Sequence, residues 1–147
     1  MFKKVLVCLD GSGLAEQILP YATEQALCCR SKLTLLQVIN LPSTVSAGIE
    51  TVPMPVPLDQ VQREEAEAKA YLERVAQSLR AKGLEVQCIT LLGSPGESIV
   101  SYADENGFGL IALATHGRSG LGRLVFGSVA DFIIRRSGLP ILLIKPK

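Results

Sequence analysis

Apolar and polar positions follow two alternating patterns along the chain. Short runs of β-branched and aliphatic residues predict five strands, at 3–9, 32–39, 84–92, 108–115 and 140–145. Between them, apolar residues recurring every three or four positions predict helices at about 13–29, 58–82, 94–107 and 128–138. Strands that alternate with helices form βαβ units with right-handed crossovers. The pattern therefore predicts an α/β fold with a doubly wound parallel sheet.

Single residues refine where these helices begin and end. The turn 10–13, of sequence DGSG, offers capping residues between the first strand and the first helix. Pro20 should kink that helix or mark an irregular turn. Gly83 ends the second helix. Ser94 is a candidate cap for the third, with Pro95 in its first turn.

The segment from Asn40 to Pro57 has a different composition. It holds four of the eight prolines, together with Ser, Thr and Gly. Such a composition does not sustain regular structure. We expect a mobile loop here, with a lid as one candidate role.

Composition and charge exclude several classes of protein. The net charge is +1, from 15 basic and 14 acidic residues, and only three Tyr and four Phe are available to stack on bases, so nucleic acid is not an expected partner. No apolar run approaches 18 residues, and the run Val5–Leu9 is too short for a signal-peptide core. We expect one domain, spanning 1–147, in the cytoplasm, with no membrane segment.

The cysteines do not suggest a metal site. Cys8, Cys28, Cys29 and Cys88 contain no CxxC pair, and the chain has one histidine. In strands and near a helix end, free thiols usually act as small apolar residues. We therefore expect four reduced thiols.

A glycine-rich loop joins the fourth strand to the last helix. The stretch 112–128 reads ALATHGRSGLGRLVFGS. Glycines let the backbone approach an anion, and the N–H groups that open a helix carry partial positive charge. Gly127 and Ser128 stand at such a helix start. Arg118 and Arg123 either add charge or are ordinary surface residues, and the loop could also be a simple connection.

Three stretches together resemble a known family. They are VLVCLDGS near the start, THG followed by GRSGLGRLVFGS, and PILLIKP near the end. The whole chain resembles the universal stress protein family. Nucleotide-binding members carry Gly, two residues, Gly, nine residues, Gly, then Ser or Thr. This chain has Gly117, Gly127 and Ser128 at the matching positions and Ala114 in place of the first glycine, a change that we expect to weaken nucleotide binding at most.

The resemblance implies a fold and a phosphate site. The fold would be a five-stranded parallel sheet of order 3-2-1-4-5 with helices on both faces, so that Asp10 lies opposite the glycine-rich loop. Backbone amides around Gly117, Gly127, Ser128 and Val129 would bind the β- and γ-phosphates, with the Ser128 hydroxyl as a further donor.

The resemblance also implies roles for the other residues of the site. The Val38 backbone would read the adenine edge, and Asp10 would lie near the ribose and phosphates, where Mg²⁺ could bind. His116 would be a loop side chain near the phosphates, and Arg118, by its charge, is a further candidate to bind them. We assign no catalytic residue, since general acid–base work by His116 needs a positioned partner, and no resident metal.

Three functions remain open at this stage. The leading hypothesis is a stress-response protein that binds ATP, AMP or ADP and acts as a homodimeric switch, pairing through its C-terminal strand and acting on an unknown protein partner. The second is a weak ATPase or an autophosphorylating phosphotransferase, although no GxxxxGK[ST] sequence occurs. The third is a dimeric scaffold that binds no nucleotide.

Overall fold

The computed structural model describes residues 1–40, 57–115 and 127–147. The strands are β1 (Lys4–Leu9), β2 (Lys32–Ile39), β3 (Val86–Leu92), β4 (Leu110–Ala114) and β5 (Ile141–Ile144). The helices are α1 (Gly13–Glu16), α2 (Leu19–Cys29), α3 (Leu58–Arg80), α4 (Pro95–Glu105) and α5 (Ser128–Arg136). Apart from Asn40 and Pro57, the loop predicted as mobile lies outside the described residues.

The five strands form one parallel sheet of order β3-β2-β1-β4-β5. Val5 in β1 pairs with Leu33 of β2 on one side and with Leu110 of β4 on the other. The predicted fold class and strand order are therefore confirmed. The chain reverses direction across the sheet between β1 and β4, which is where open α/β sheets bind ligands.

Helices cover both faces of the sheet, as predicted. Successive strand residues point to opposite faces. Leu35 belongs to the core cluster that includes residues of α1, α2 and α3, and Leu36 belongs to the cluster that includes residues of α4 and α5. Burial on both faces explains why the strands read as nearly continuous apolar runs.

The first predicted helix, 13–29, is two helices. Pro20 is in the first turn of α2, where its missing N–H costs nothing, whereas a continuous helix would need that N–H as a donor. The expected irregular turn at Pro20 is confirmed.

Other predicted boundaries hold with small changes. Gly83 follows α3 with φ +84°, a left-handed conformation that favours glycine. Ser94 occupies the N-cap position of α4, but its side chain makes no capping hydrogen bond. Within α4, Gly96 packs directly against Phe132 of α5: a Cβ built on Gly96 would lie 2.8 Å from the phenyl ring. Glycine therefore allows the close approach of these two helices.

The cysteines lie in the elements where the sequence predicted them. All four cysteines are free, with Cys8 and Cys88 in strands and Cys28 and Cys29 at the end of α2. In the described ranges, no helix is both long and apolar enough to cross a membrane.

Candidate functional site

A cavity of about 310 Å³ opens at the carboxyl ends of β1, β2 and β4. Four separate parts of the chain supply its polar and backbone groups. Six of the residues singled out from the sequence line it: Asp10, Val38, Ala114, Gly127, Ser128 and Val129. The other three, His116, Gly117 and Arg118, lie outside the described residues.

The floor of the cavity is apolar. Its lining includes side chains that are at least nine-tenths buried in the core on the α4–α5 face: Cys8, Leu36, Ile99, Leu113 and Ala130. Burial raises the pKa of the Cys8 thiol to about 12. At neutral pH this thiol is therefore uncharged, and the floor offers dispersion contacts rather than charge.

The carboxylate of Asp10 is held at the rim by the turn after β1. The Ser12 backbone N–H donates to Asp10 Oδ1 at 2.9 Å. The Ser12 hydroxyl accepts from the Ala15 N–H at 3.1 Å and so caps α1. The DGSG turn thus caps the start of α1 and also positions Oδ1 of Asp10 at the cavity.

The N-terminus of α5 forms the opposite rim. Its first helical hydrogen bond runs from the Asp131 N–H to the Gly127 carbonyl. The N–H groups of residues 128–130 therefore precede the helical ladder. The N-cap residue is Gly127, which has no side chain to cap them. Amides that precede the helical ladder, together with the helix dipole, favour an anion.

Ala114 is the last residue of β4 and adopts ordinary strand conformation. It pairs with Ile144 of β5, and the next amide, of Thr115, donates to the Ile144 carbonyl at 2.9 Å. The side chain of Ala114 is half-buried and lines the cavity. The methyl group is therefore accommodated in the strand without a left-handed backbone.

Comparison with known proteins identifies the family. The model described as "Universal stress protein family" matches residues 1–145. The chain belongs to the universal stress protein family. This universal stress protein is 30% identical to universal stress protein YxiE of Bacillus subtilis over 149 residues, which cover 99% of the chain and 100% of YxiE.

Solved structures share the fold of this universal stress protein. Protein MJ0577 of Methanocaldococcus jannaschii superposes with a TM-score of 0.75 at 26% identity, covering 100% of this chain and 98% of MJ0577. The universal stress protein of Archaeoglobus fulgidus, solved in complex with dAMP, gives a TM-score of 0.68 at 24% identity and covers 99% and 100% of the two chains.

Sequence reasoning missed the floor of the site in this universal stress protein. Cys8, Leu36 and Leu113 could have been found, because strand alternation places them on one face near the carboxyl ends. Pro95 and Ile99 come from α4. Their approach to the cavity depends on how α4 packs on the sheet, for which the chain carries no local signal.

Proposed function

We propose that this universal stress protein binds ATP, or a related adenine nucleotide (AMP or ADP), in the cavity between β1 and β4. In this proposal it acts in the cytoplasm as a nucleotide-dependent homodimeric switch in a stress response, through a protein partner. The main support is the convergence of 10, 38, 114 and 127–129 on one cavity with an apolar floor and a polar rim. These positions are far apart in the sequence, and the family resemblance assigns them to one ligand.

The floor and the rim of the cavity suit different parts of a nucleotide. An adenine ring suits the apolar floor, with the Val38 backbone at its polar edge. Phosphate oxygens suit the amides of Ser128 and Val129 at the start of α5, together with the Ser128 hydroxyl. In the same proposal Gly117, His116 and Arg118 complete the phosphate site.

Asp10 fits a Mg²⁺ ion that arrives with the nucleotide. Mg²⁺ is commonly bound by one or two carboxylates together with substrate phosphates. In the described part of the chain, Asp10 is the carboxylate that lines the cavity, and no group of three or more His, Cys, Asp or Glu side chains forms a separate metal site. Bound Mg²⁺ would neutralise phosphate charge, while the Ser12 amide keeps Asp10 in place.

Relatives support the nucleotide class. The Archaeoglobus fulgidus protein holds dAMP on the same fold. The two sequences are 24% identical, so this likeness shows a shared fold. The nucleotide proposed for this chain rests on the cavity and the motif of the chain itself. The stress role comes from the family.

Dimerisation is proposed through the outer edge of β5. This strand ends the described sheet, and its residues Ile141–Ile144 are all half-buried. An exposed apolar edge with unpaired backbone groups is an aggregation hazard unless another strand covers it. A second copy of the chain is the partner that we propose.

Co-purified nucleotide and phosphate release test the proposal. The protein is purified, denatured and analysed by mass spectrometry for ATP, ADP or AMP. Mg-ATP is then added while the unfolding midpoint and phosphate are followed. Ligand at about 100 times its dissociation constant stabilises a protein by about 2.7 kcal/mol.

The outcomes separate the three functions. A shift of the midpoint without turnover supports the switch. Steady phosphate release would replace it with a slow ATPase, for which the held Asp10 carboxylate is the available Mg²⁺ ligand. If no nucleotide co-purifies and millimolar ATP does not shift the unfolding midpoint, the remaining function is that of a dimeric scaffold that binds no nucleotide.

A further inference from the structure

Strand β3 is the outer strand on the side of the sheet away from β5. The Glu85 carbonyl accepts from the Leu33 amide of β2, and the Gly93 amide donates to the last carbonyl of β2. Because backbone groups of alternate residues point to alternate sides of a strand, the even-numbered residues of 86–92 direct their N–H and C=O groups away from β2. A row of such groups is a template for a further strand.

The side chain of Arg80 covers the first carbonyl of this outer edge. Arg80 is the last residue of α3, and its Nε and Nη2 both donate to the Val86 carbonyl, at 3.2 and 2.8 Å. A carbonyl oxygen has two lone pairs, so this double contact leaves none for the N–H of another strand. An incoming strand would have to displace the guanidinium before it could pair along the whole edge.

Glu73 holds the guanidinium in this position. Its Oε1 accepts from Arg80 Nη1 in an ion pair, and its Oε2 accepts from the Cys88 thiol at 3.7 Å. The Arg80–Glu73 pair therefore extends beside β3 from Val86 to Cys88. The two side chains are 40% and 48% exposed, so a strand laid over them would also remove water from two charges, which is unfavourable.

The two outer strands of the described sheet differ in this respect. Strand β5 consists of the apolar residues Ile141–Ile144, whereas β3 has an ion pair beside its edge. Every copy of the chain has both edges, so β5 of one copy could pair with β3 of the next. Such head-to-tail pairing forms rings or open filaments, whereas pairing of β5 with β5 closes as a dimer. Closing the β3 edge would restrict strand pairing between copies to β5.

We propose that the β3 edge is a latent self-association surface, which Arg80, held by Glu73, keeps closed to other copies of the chain. The strand that it excludes is a strand of a second copy. Main-chain hydrogen bonds supply the affinity of such strand addition, and the edge of every copy carries the groups that form them. In this proposal Arg80 controls the assembly state of the protein.

Arg80→Ala tests the proposal. The intact variant and the wild type are compared by sedimentation velocity over a range of concentrations, and circular dichroism verifies that the variant is folded. We expect species larger than those of the wild type and an association constant at least about tenfold higher, because strand addition no longer has to break hydrogen bonds from a charged group. Arg63→Ala, which removes the same charge from an exposed position of α3, is the matched control and should sediment like the wild type.

Further substitutions locate the association. The Thr90 N–H points away from β2, so Thr90→Pro removes an outward donor and no hydrogen bond to β2. In the Arg80→Ala background this change should return the larger species to the wild-type size. Glu73→Gln keeps the length of the side chain but removes its charge, and it should also sediment as larger species, to a smaller extent. This milder variant decides the question if Arg80→Ala does not fold.

Four results would overturn the proposal. They are a folded Arg80→Ala that sediments like the wild type at every concentration, an equal increase in Arg63→Ala, larger species that persist after Thr90→Pro, and a Glu73→Gln variant that sediments like the wild type. Each comparison is made with the wild type, whether that is a monomer or a dimer. A failed β5 dimer would therefore not affect this test, and failure here leaves the proposed function standing.

Discussion

At the scale of single residues, the cavity combines a carboxylate, a helix N-terminus and apolar side chains, each of which is common in proteins. The carboxylate of Asp10, which accepts from the Ser12 backbone amide, lines the same cavity as the N-terminus of the nine-residue helix α5. Between them lie apolar side chains that also belong to the protein core. Ligand affinity should therefore respond to small changes in side-chain volume as much as to charge.

Ala114→Gly tests the residue that departs from the family motif. Removing the methyl should raise ATP affinity modestly, because the ligand gains room beside β4. Glycine within a strand should lower the free energy of unfolding by about 0.5–1 kcal/mol. Calorimetry measures the first effect and urea denaturation the second. An unchanged or lower affinity would show that the methyl is harmless.

Cys8 should make stability depend on alkaline pH. Burial raises its pKa from 9.0 to about 12. Above pH 9 the unfolded chain releases this proton while the folded chain keeps it, so the free energy of unfolding falls as pH rises, by about 1.4 kcal/mol per unit. The slope ends near the folded pKa, and below pH 9 the contribution is fully present.

Denaturation of the wild type and of Cys8→Ala between pH 8 and 10 measures this slope. The alanine variant lacks the thiol and should show a correspondingly shallower fall. The difference between the two slopes gives the contribution of Cys8 alone. It excludes that of Cys88, because burial also raises the pKa of Cys88 but both proteins contain this residue. Parallel stability curves for the two proteins would contradict the prediction.

At the scale of elements, the predictions succeeded where the signal was local. Strand runs, Pro20 and Gly83 act through the backbone of their own neighbourhood, and the structure agrees with them. The side-chain cap expected of Ser94 does not form, although the helix begins there. For the site, the carboxyl ends of the strands could be predicted, but Ile99 enters the cavity only because α4 packs over β2 and against α5.

Gly96→Ala should separate α4 from α5. The added Cβ would lie 2.8 Å from the Phe132 ring, and overpacking of this kind costs about 1–3 kcal/mol, more than the gain in helix propensity of at most about 1 kcal/mol. Urea denaturation should show a net loss of stability. ATP affinity should fall too, because Pro95 and Val129 line the cavity beside this contact.

Gly13→Ala is the matched control. Gly13 begins α1, and a Cβ built there meets nothing within 4 Å. The same chemical change should therefore leave stability unchanged or raise it slightly. Equal losses at Gly13 and Gly96 would show that the contact with Phe132 is not the cause.

At the scale of the whole molecule, β5 connects the candidate site with the proposed dimer edge. Its Ile144 carbonyl accepts from the Thr115 amide beside the cavity. The carbonyls of Pro140 and Ile144 both point to β4. Because backbone groups of alternate residues point to alternate sides of a strand, Leu143 directs its N–H to the outer edge.

Leu143→Pro should abolish dimerisation while retaining the sheet. Proline removes the outward N–H without removing a hydrogen bond to β4. Sedimentation velocity should show a monomer for this variant and a dimer for Leu143→Ala, which shortens the side chain but keeps the N–H. A proline variant that still dimerises would place the interface elsewhere.

The central position of β1 has a consequence for how the chain is made. Val5 pairs with Leu33 early in the sequence, but its other neighbour, Leu110, comes more than a hundred residues later. While the chain emerges from the ribosome, one side of this apolar strand therefore stays open through most of synthesis. Such late, non-local closure slows folding and exposes the nascent chain to aggregation, so β1 is the segment that a chaperone would have most reason to protect.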